Sequence, residues 1–207
     1  PNAVGEVKIA FVAWDQSTGA NGSGANGSVV NASTRGGTTA YSTAFEYASL
    51  FVNTAPTLNS SGTPTFDPIP NTLPLASNTG LLVSTLITRM GPLGSITDPD
   101  PAALRGIAVI GLSGTATGTW QFSTNNGTSW STIPTTGSAT ALLLASDSVT
   151  RIRYVPNPGF TGTVALAFTA WDRTQGLLNG SIVNAGLRGG ATPFSLNHDT
   201  ATLNVTN

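Results

Sequence analysis

Short apolar runs alternate along the chain with clusters of Gly, Asn, Pro, Ser and Thr, the pattern of many short strands joined by tight turns. The cleanest run is residues 163–171, where Val164, Leu166, Phe168 and Ala170 fall on every second position and so line one face of a strand. Residues 106–113, 119–123, 129–133, 141–144, 151–155 and 194–205 read in the same way. Two earlier runs, 73–76 and 81–88, are also expected as strands, although the second accommodates one helical turn. Asn126-Gly127 supplies the positive backbone angles of a hairpin turn between 119–123 and 129–133. No stretch reads as a long amphipathic helix. The pattern predicts an all-β chain, with about nine strands in a two-sheet sandwich.

The pattern also repeats. Residues 5–15 read GEVKIAFVAWD and residues 162–172 read GTVALAFTAWD. Farther on, 26–37 read NGSVVNASTRGG and 179–190 read NGSIVNAGLRGG. Agreement continues through Thr39 with Thr192, Tyr41 with Phe194, Glu46 with Asp199, Leu50 with Leu203 and Val52 with Val205. A unit far longer than a solenoid repeat suits whole domains in tandem. The expected organisation is a complete sandwich over 55–207, preceded over 1–54 by the C-terminal part of another repeat. Pro56 fixes an extended link between them. A third of a sandwich cannot bury its own inner face, so 1–54 is expected to need completion, from a longer array or from another chain.

Composition narrows the function classes. Charged residues are only 8% of 207 and the net charge is -1, so copies repel one another little. Arginines are scattered and Lys8 is the lone lysine, which excludes a phosphate-tracking surface and hence nucleic acid. There is no cysteine and one histidine, His198, which removes disulfides, thiolate zinc sites and His-pair metal sites. With no nucleophile–base pair in view, no catalytic residues are assigned and the chain is not read as an enzyme. No apolar run approaches the roughly 20 residues of a membrane span.

The strongest chemical signal is Asp98-Pro99-Asp100. Two carboxylates held two residues apart by proline offer hard oxygen ligands in a loop, which suits Ca²⁺. Asp15 and Asn53 are the chosen partners in this shell, with Asp67 and Glu46 as further candidates. The bland reading is an acidic turn capping its own backbone. Trp14-Asp15 and Trp171-Asp172 recur at one place in both copies, which fits a strand-closing role. Residues 123–130, STNNGTSW, have Asp-box spacing with Asn for Asp and mark a turn. An ion pair of Asp147 with Arg151 or Arg153 is expected beside a second turn. The Arg-Gly-Gly triplets at 35–37 and 188–190 are loop elements.

The string TDPDPAALRGIAVIGLSGTATGTWQFSTNNGTSW, then ALLLASDSVTRIRYVPNPGFTGTVALAFTAWD, RGGATPFS and ATLNV, with NTAPTL after the first copy, resembles the cadherin-like and immunoglobulin-like repeats of very large bacterial surface and secreted proteins. Nearly all of 55–207 is covered, and 1–54 fits the tail of a preceding repeat. The resemblance implies an extracellular, cell-surface location and a role in adhesion, biofilm or surface fibres. It also implies association head to tail with like units, and Ca²⁺ at junctions. Carried onto this chain, the ligand positions are Asp98 and Asp100. The family's linker carries an acidic residue before Ala-Pro, where this chain has Thr54. A second class, a carbohydrate-binding sandwich module for surface glycans, would show two or three coplanar exposed aromatics.

Overall fold

The computed structural model describes residues 5–16, 29–91 and 96–207. They form two compact units, Gly5–Val52 and Asn53–Asn207, and the fold is all-β apart from one six-residue helix and a short 3₁₀ turn.

In the larger unit the strands are β3 (Thr57–Leu58), β4 (Ile69–Pro70), β5 (Leu81–Leu82), β6 (Ile96–Thr97), β7 (Gly106–Leu112), β8 (Gly118–Ser123) and β9 (Ser131–Thr132). They continue with β10 (Ala141–Ala145), β11 (Arg151–Pro156), β12 (Gly162–Trp171), β13 (Ile182–Val183) and β14 (Phe194–Thr206), and helix α1 spans Val83–Thr88. One sheet has the order β13-β10-β7-β12-β14-β4, a second β5-β11-β8-β9, and β3 pairs with β6. Pairing is antiparallel throughout except where β4 runs parallel to β14.

Alternation along β12 decides where the core lies. Val164, Leu166, Phe168 and Ala170 are buried in one cluster that takes Val109 and Leu142 from the same sheet and Trp120, Ile152 and Tyr154 from the second sheet. The Trp120 ring lies 5.4 Å from Phe66 and 5.1 Å from Tyr154, spacings at which tilted aromatics attract. Trp171 falls on the opposite parity, beyond an irregularity between Thr169 and Trp171. It packs with Ala108, Leu143 and Phe194 in a separate cluster on the other face of the sheet. A Cβ on Gly106 would stand 2.7 Å from the Trp171 ring and 2.8 Å from the Leu144 carbonyl, so only glycine admits the indole here.

Two expected strands read differently in the structure. Residues 73–76 form no strand and run into a turn over 75–77, because Pro74 interrupts the run and Asn78, 6% exposed, donates its side-chain amide to the Tyr154 carbonyl at 2.8 Å. In 81–88 only Leu81–Leu82 pairs with β11; the chain then turns into α1, which buries Val83, Leu86 and Ile87. The Asn-Gly turn forms as expected, with φ of 58° at Asn126 and 83° at Gly127. Ser123 Oγ accepts from the Gly127 amide, and Asn125 Oδ1 accepts from the Ser129 amide.

The smaller unit is a single antiparallel hairpin, β1 (Gly5–Trp14) with β2 (Tyr41–Val52). It reproduces β12 and β14 pair for pair. Gly5 faces Val52 as Gly162 faces Val205, Phe11 faces Glu46 as Phe168 faces Asp199, and Trp14 faces Tyr41 as Trp171 faces Phe194. The irregularity recurs between Val12 and Trp14. So do the Ser42 hydroxyl accepting the Ala13 amide, as Ser195 accepts Ala170, and the left-handed Gln16, φ 62°, matching Arg173, φ 63°. Within the loops, Arg35 Nε donates to the Ala32 carbonyl and Arg188 Nε to that of Ala185.

The two hairpins agree on one face and part on the other. On the face that is inward in the larger unit, Val7, Phe11, Ala48, Leu50 and Val52 stand where it has Val164, Phe168, Ala201, Leu203 and Val205, and Ile9 stands for Leu166. On the outward face Val12, Phe45, Tyr47 and Phe51 replace Thr169, His198, Thr200 and Asn204.

Phe168 is 0% exposed, so Phe168→Ala should destabilise the larger unit by about 3–5 kcal/mol in urea or thermal unfolding. A loss below about 1 kcal/mol would mean that the ring does not anchor the core.

Candidate functional site

At the start of the larger unit, polar side chains gather around residues 53–55. The Asp98-Pro99-Asp100 turn follows the two-residue strand β6, and proline limits how its backbone can bend. Asp98 Oδ1 accepts from the Asp100 main-chain N–H at 2.9 Å, the self-capping of a short acidic turn. Asp100 Oδ2 accepts from the Thr54 main-chain N–H at 2.7 Å. Asn53 donates through Nδ2 to Asp172 Oδ2 at 2.8 Å and to the Thr192 carbonyl at 3.1 Å. Asp172, 2% exposed, accepts on Oδ1 from the N–H and hydroxyl of Thr174 at 2.9 and 2.6 Å. The Ala55 amide reaches the Gly190 carbonyl at 2.8 Å. Together these bonds fasten three consecutive residues to loops that are far away in sequence.

Asp98, Asp100 and Asn53 are thus placed in one network. Asp15 belongs to the hairpin unit, where its amide donates to the Ala40 carbonyl at 3.1 Å. Its repeat counterpart Asp172 takes the place in the network. That signal was present in the sequence, since Trp-Asp closes the same strand in both copies. Asp67 pairs instead with Arg89 at 3.0 Å, and Glu46 faces Phe11 on the hairpin.

The surroundings of Asp98 act on its charge. Burial pushes its carboxyl above the usual range, and the charges of Asp100 and Asp172 push the same way, against the Asp100 amide bond. Its Oδ2 is shielded from solvent and has no hydrogen-bond partner. A free, shielded carboxylate oxygen beside two further carboxylates suits a hard cation. Among the described residues, however, no three acidic or imidazole side chains come close enough to share one coordination sphere. Main-chain oxygens and water would have to complete a six- to eight-oxygen Ca²⁺ shell.

A second polar site lies where β11 meets the 71–80 turns. Arg153, 8% exposed, donates through Nε to Gln121 Oε1 at 2.8 Å and through Nη1 to the Asn78 carbonyl at 3.0 Å. Its guanidinium lies 4.0 Å over the Trp130 ring. Arg151 Nε bonds Asn126 Oδ1 at 2.7 Å. The ion pair expected with Asp147 does not form: Asp147 Oδ1 accepts the amides of Val149 and Thr150 at 3.0 and 2.6 Å. Among the described residues the ion pairs are Arg89–Asp67 and Lys8–Glu6, both solvent-accessible. His198 is exposed on the outward face of β14.

The raised pKa of Asp98 has a definite sign. The folded chain keeps this proton to higher pH than the unfolded chain does. Its contribution to stability is therefore complete below the unfolded carboxyl pKa and is lost as pH rises through the folded one. Asp98→Asn keeps an acceptor for the Asp100 amide and carries no charge. In a chelator, the variant's melting temperature should rise relative to wild type between about pH 3 and pH 7. Parallel melting curves at every pH would show that Asp98 titrates as it does in the unfolded chain.

No family model, no curated protein and no solved structure matches this chain.

Proposed function

We propose that the chain belongs to a non-catalytic extracellular repeat protein with a structural and adhesive role, built from immunoglobulin/cadherin-like β-sandwich units that follow one another head to tail at a cell surface. The observation that carries this reading is the duplicated hairpin, with the same register, the same irregularity and the same capping hydroxyl in two units of one polypeptide. Duplication of a whole structural unit is how arrays gain length without new chemistry. The near absence of charge adds to it, since such a surface tolerates close neighbours. So does the network at 53–55, which ties the entry of the chain to its own unit.

Ca²⁺ enters this reading as a ligand of Asp98, with Asp100 and Asp172 beside it. Millimolar Ca²⁺ should raise the melting temperature over that in chelator and leave Asp98→Asn unmoved. Equal melting of the wild type in both solutions would remove calcium from the reading.

Glycan binding has less support. Phe45 and Tyr47 meet at 87°, edge to face, and do not form a flat platform. One face of Trp130 is covered by Arg153.

A structural role is tested by pulling. In a tandem array of residues 55–207, each unit should unfold as a separate force peak releasing roughly 500 Å of chain. Antibodies against the chain should label the outside of intact source cells. Labelling confined to the cytosol, or unfolding without discrete peaks, would overturn the proposal.

A further inference from the structure

The inward-type face of the β1–β2 hairpin is bare. Val7 is 43% exposed, Ile9 67%, Phe11 51% and Leu50 65%, where Val164, Leu166, Phe168 and Leu203 are 1, 0, 0 and 4% exposed. An apolar ladder of this size on a two-stranded hairpin is unstable in water by itself. The larger unit shows what such a ladder packs against. There β7 pairs along the free side of β12, Val109 opposite Phe168 and Leu112 opposite Leu166, while Trp120, Ile152 and Tyr154 of the second sheet close over the face. Those covering residues all lie within 55–161.

We infer that the hairpin at residues 5–52 is the closing hairpin of a further unit, and that its bare face takes a segment of the same kind as residues 55–161, carried ahead of Gly5 in the same polypeptide as 55–161 is carried ahead of Gly162. The agreement between the hairpins specifies this occupant. It is densest on the face that the segment covers in the larger unit; the opposite face keeps Ala10 and Trp14 but has diverged to Phe45, Tyr47 and Phe51. A partner of unrelated shape would not require the same side chain, at the same register, at Val7, Phe11, Ala48, Leu50 and Val52. A second copy of the chain is a poorer source. Its own 55–161 segment is already paired with its own β12 and cannot leave without baring Phe168. The inference rests on the duplicated register and not on the surface-fibre reading; it holds equally for an array in any compartment.

The test extends the full chain with a copy of residues 55–161 joined to Gly5. Hydrogen exchange is then followed in peptides from β1 and β2, in the original chain, the extended chain and the extended chain carrying Phe11→Asp. Exchange should slow at least about a hundredfold in the extended chain, and the Phe11→Asp change should abolish that slowing while the larger unit stays protected. Should the extended chain not fold, a chimera joining 55–161 to 5–52 in place of 162–205 takes over. It should melt cooperatively with Trp120 buried. An extended chain with an intact larger unit and an unprotected hairpin would overturn the inference, as would a chimera that fails to melt cooperatively. Protection of the original chain's hairpin that grows with concentration would assign the face to a second copy and overturn it too.

Discussion

Strand β12 is the member on which the larger unit depends, because it is paired on both sides and buried on both faces where it matters. It joins β7 to β14 through main-chain bonds and sends Val164, Leu166 and Phe168 into the shared core. Beyond the irregularity at Thr169 it delivers Trp171 to the opposite face and Asp172 to the network at Asn53. A ten-residue strand thus connects the core, a second apolar cluster and the polar fastening of residues 53–55. Loss of its pairing would expose all three, since each depends on side chains whose direction is set by strand parity.

The hairpin unit isolates one part of that arrangement. Its register, capping hydroxyl and left-handed residue after the Trp-Asp pair are all present without a covering sheet. Local rules therefore fix the hairpin's geometry, and the covering sheet supplies the burial. Alternation, the Ser42 and Ser195 hydroxyls, and the Arg-Gly-Gly loops belong to the first category. Contacts with Trp120 and Tyr154, distant in sequence, belong to the second.

What could be read in the sequence follows the same division. Period-two alternation located β7, β8, β10, β11, β12 and β14, because half-buried strands expose their faces in their composition. Asn126-Gly127 announced its turn because few residue pairs tolerate both backbone angles. Residues 73–76 misled because their order comes from Asn78 and Arg153 bonding to main-chain carbonyls, which leaves no hydrophobic period. At the acidic turn, Asp98, Asp100 and Asn53 were legible as local oxygen and amide groups. That Asp172 and not Asp15 completes their network is a tertiary fact, and the internal repeat was the one signal that pointed to it.

Among the described residues ion pairs are few, which bears on the medium the fold tolerates. At Thr169, Ser195, Asn78 and Arg153, buried polar groups of the larger unit are satisfied by hydroxyls, amides and main-chain carbonyls. Neutral hydrogen bonds and apolar packing are hardly weakened when dissolved ions shorten the range of charge–charge forces, whereas exposed ion pairs are. Most of what holds the larger unit together is therefore of a kind that dissolved salt screens little.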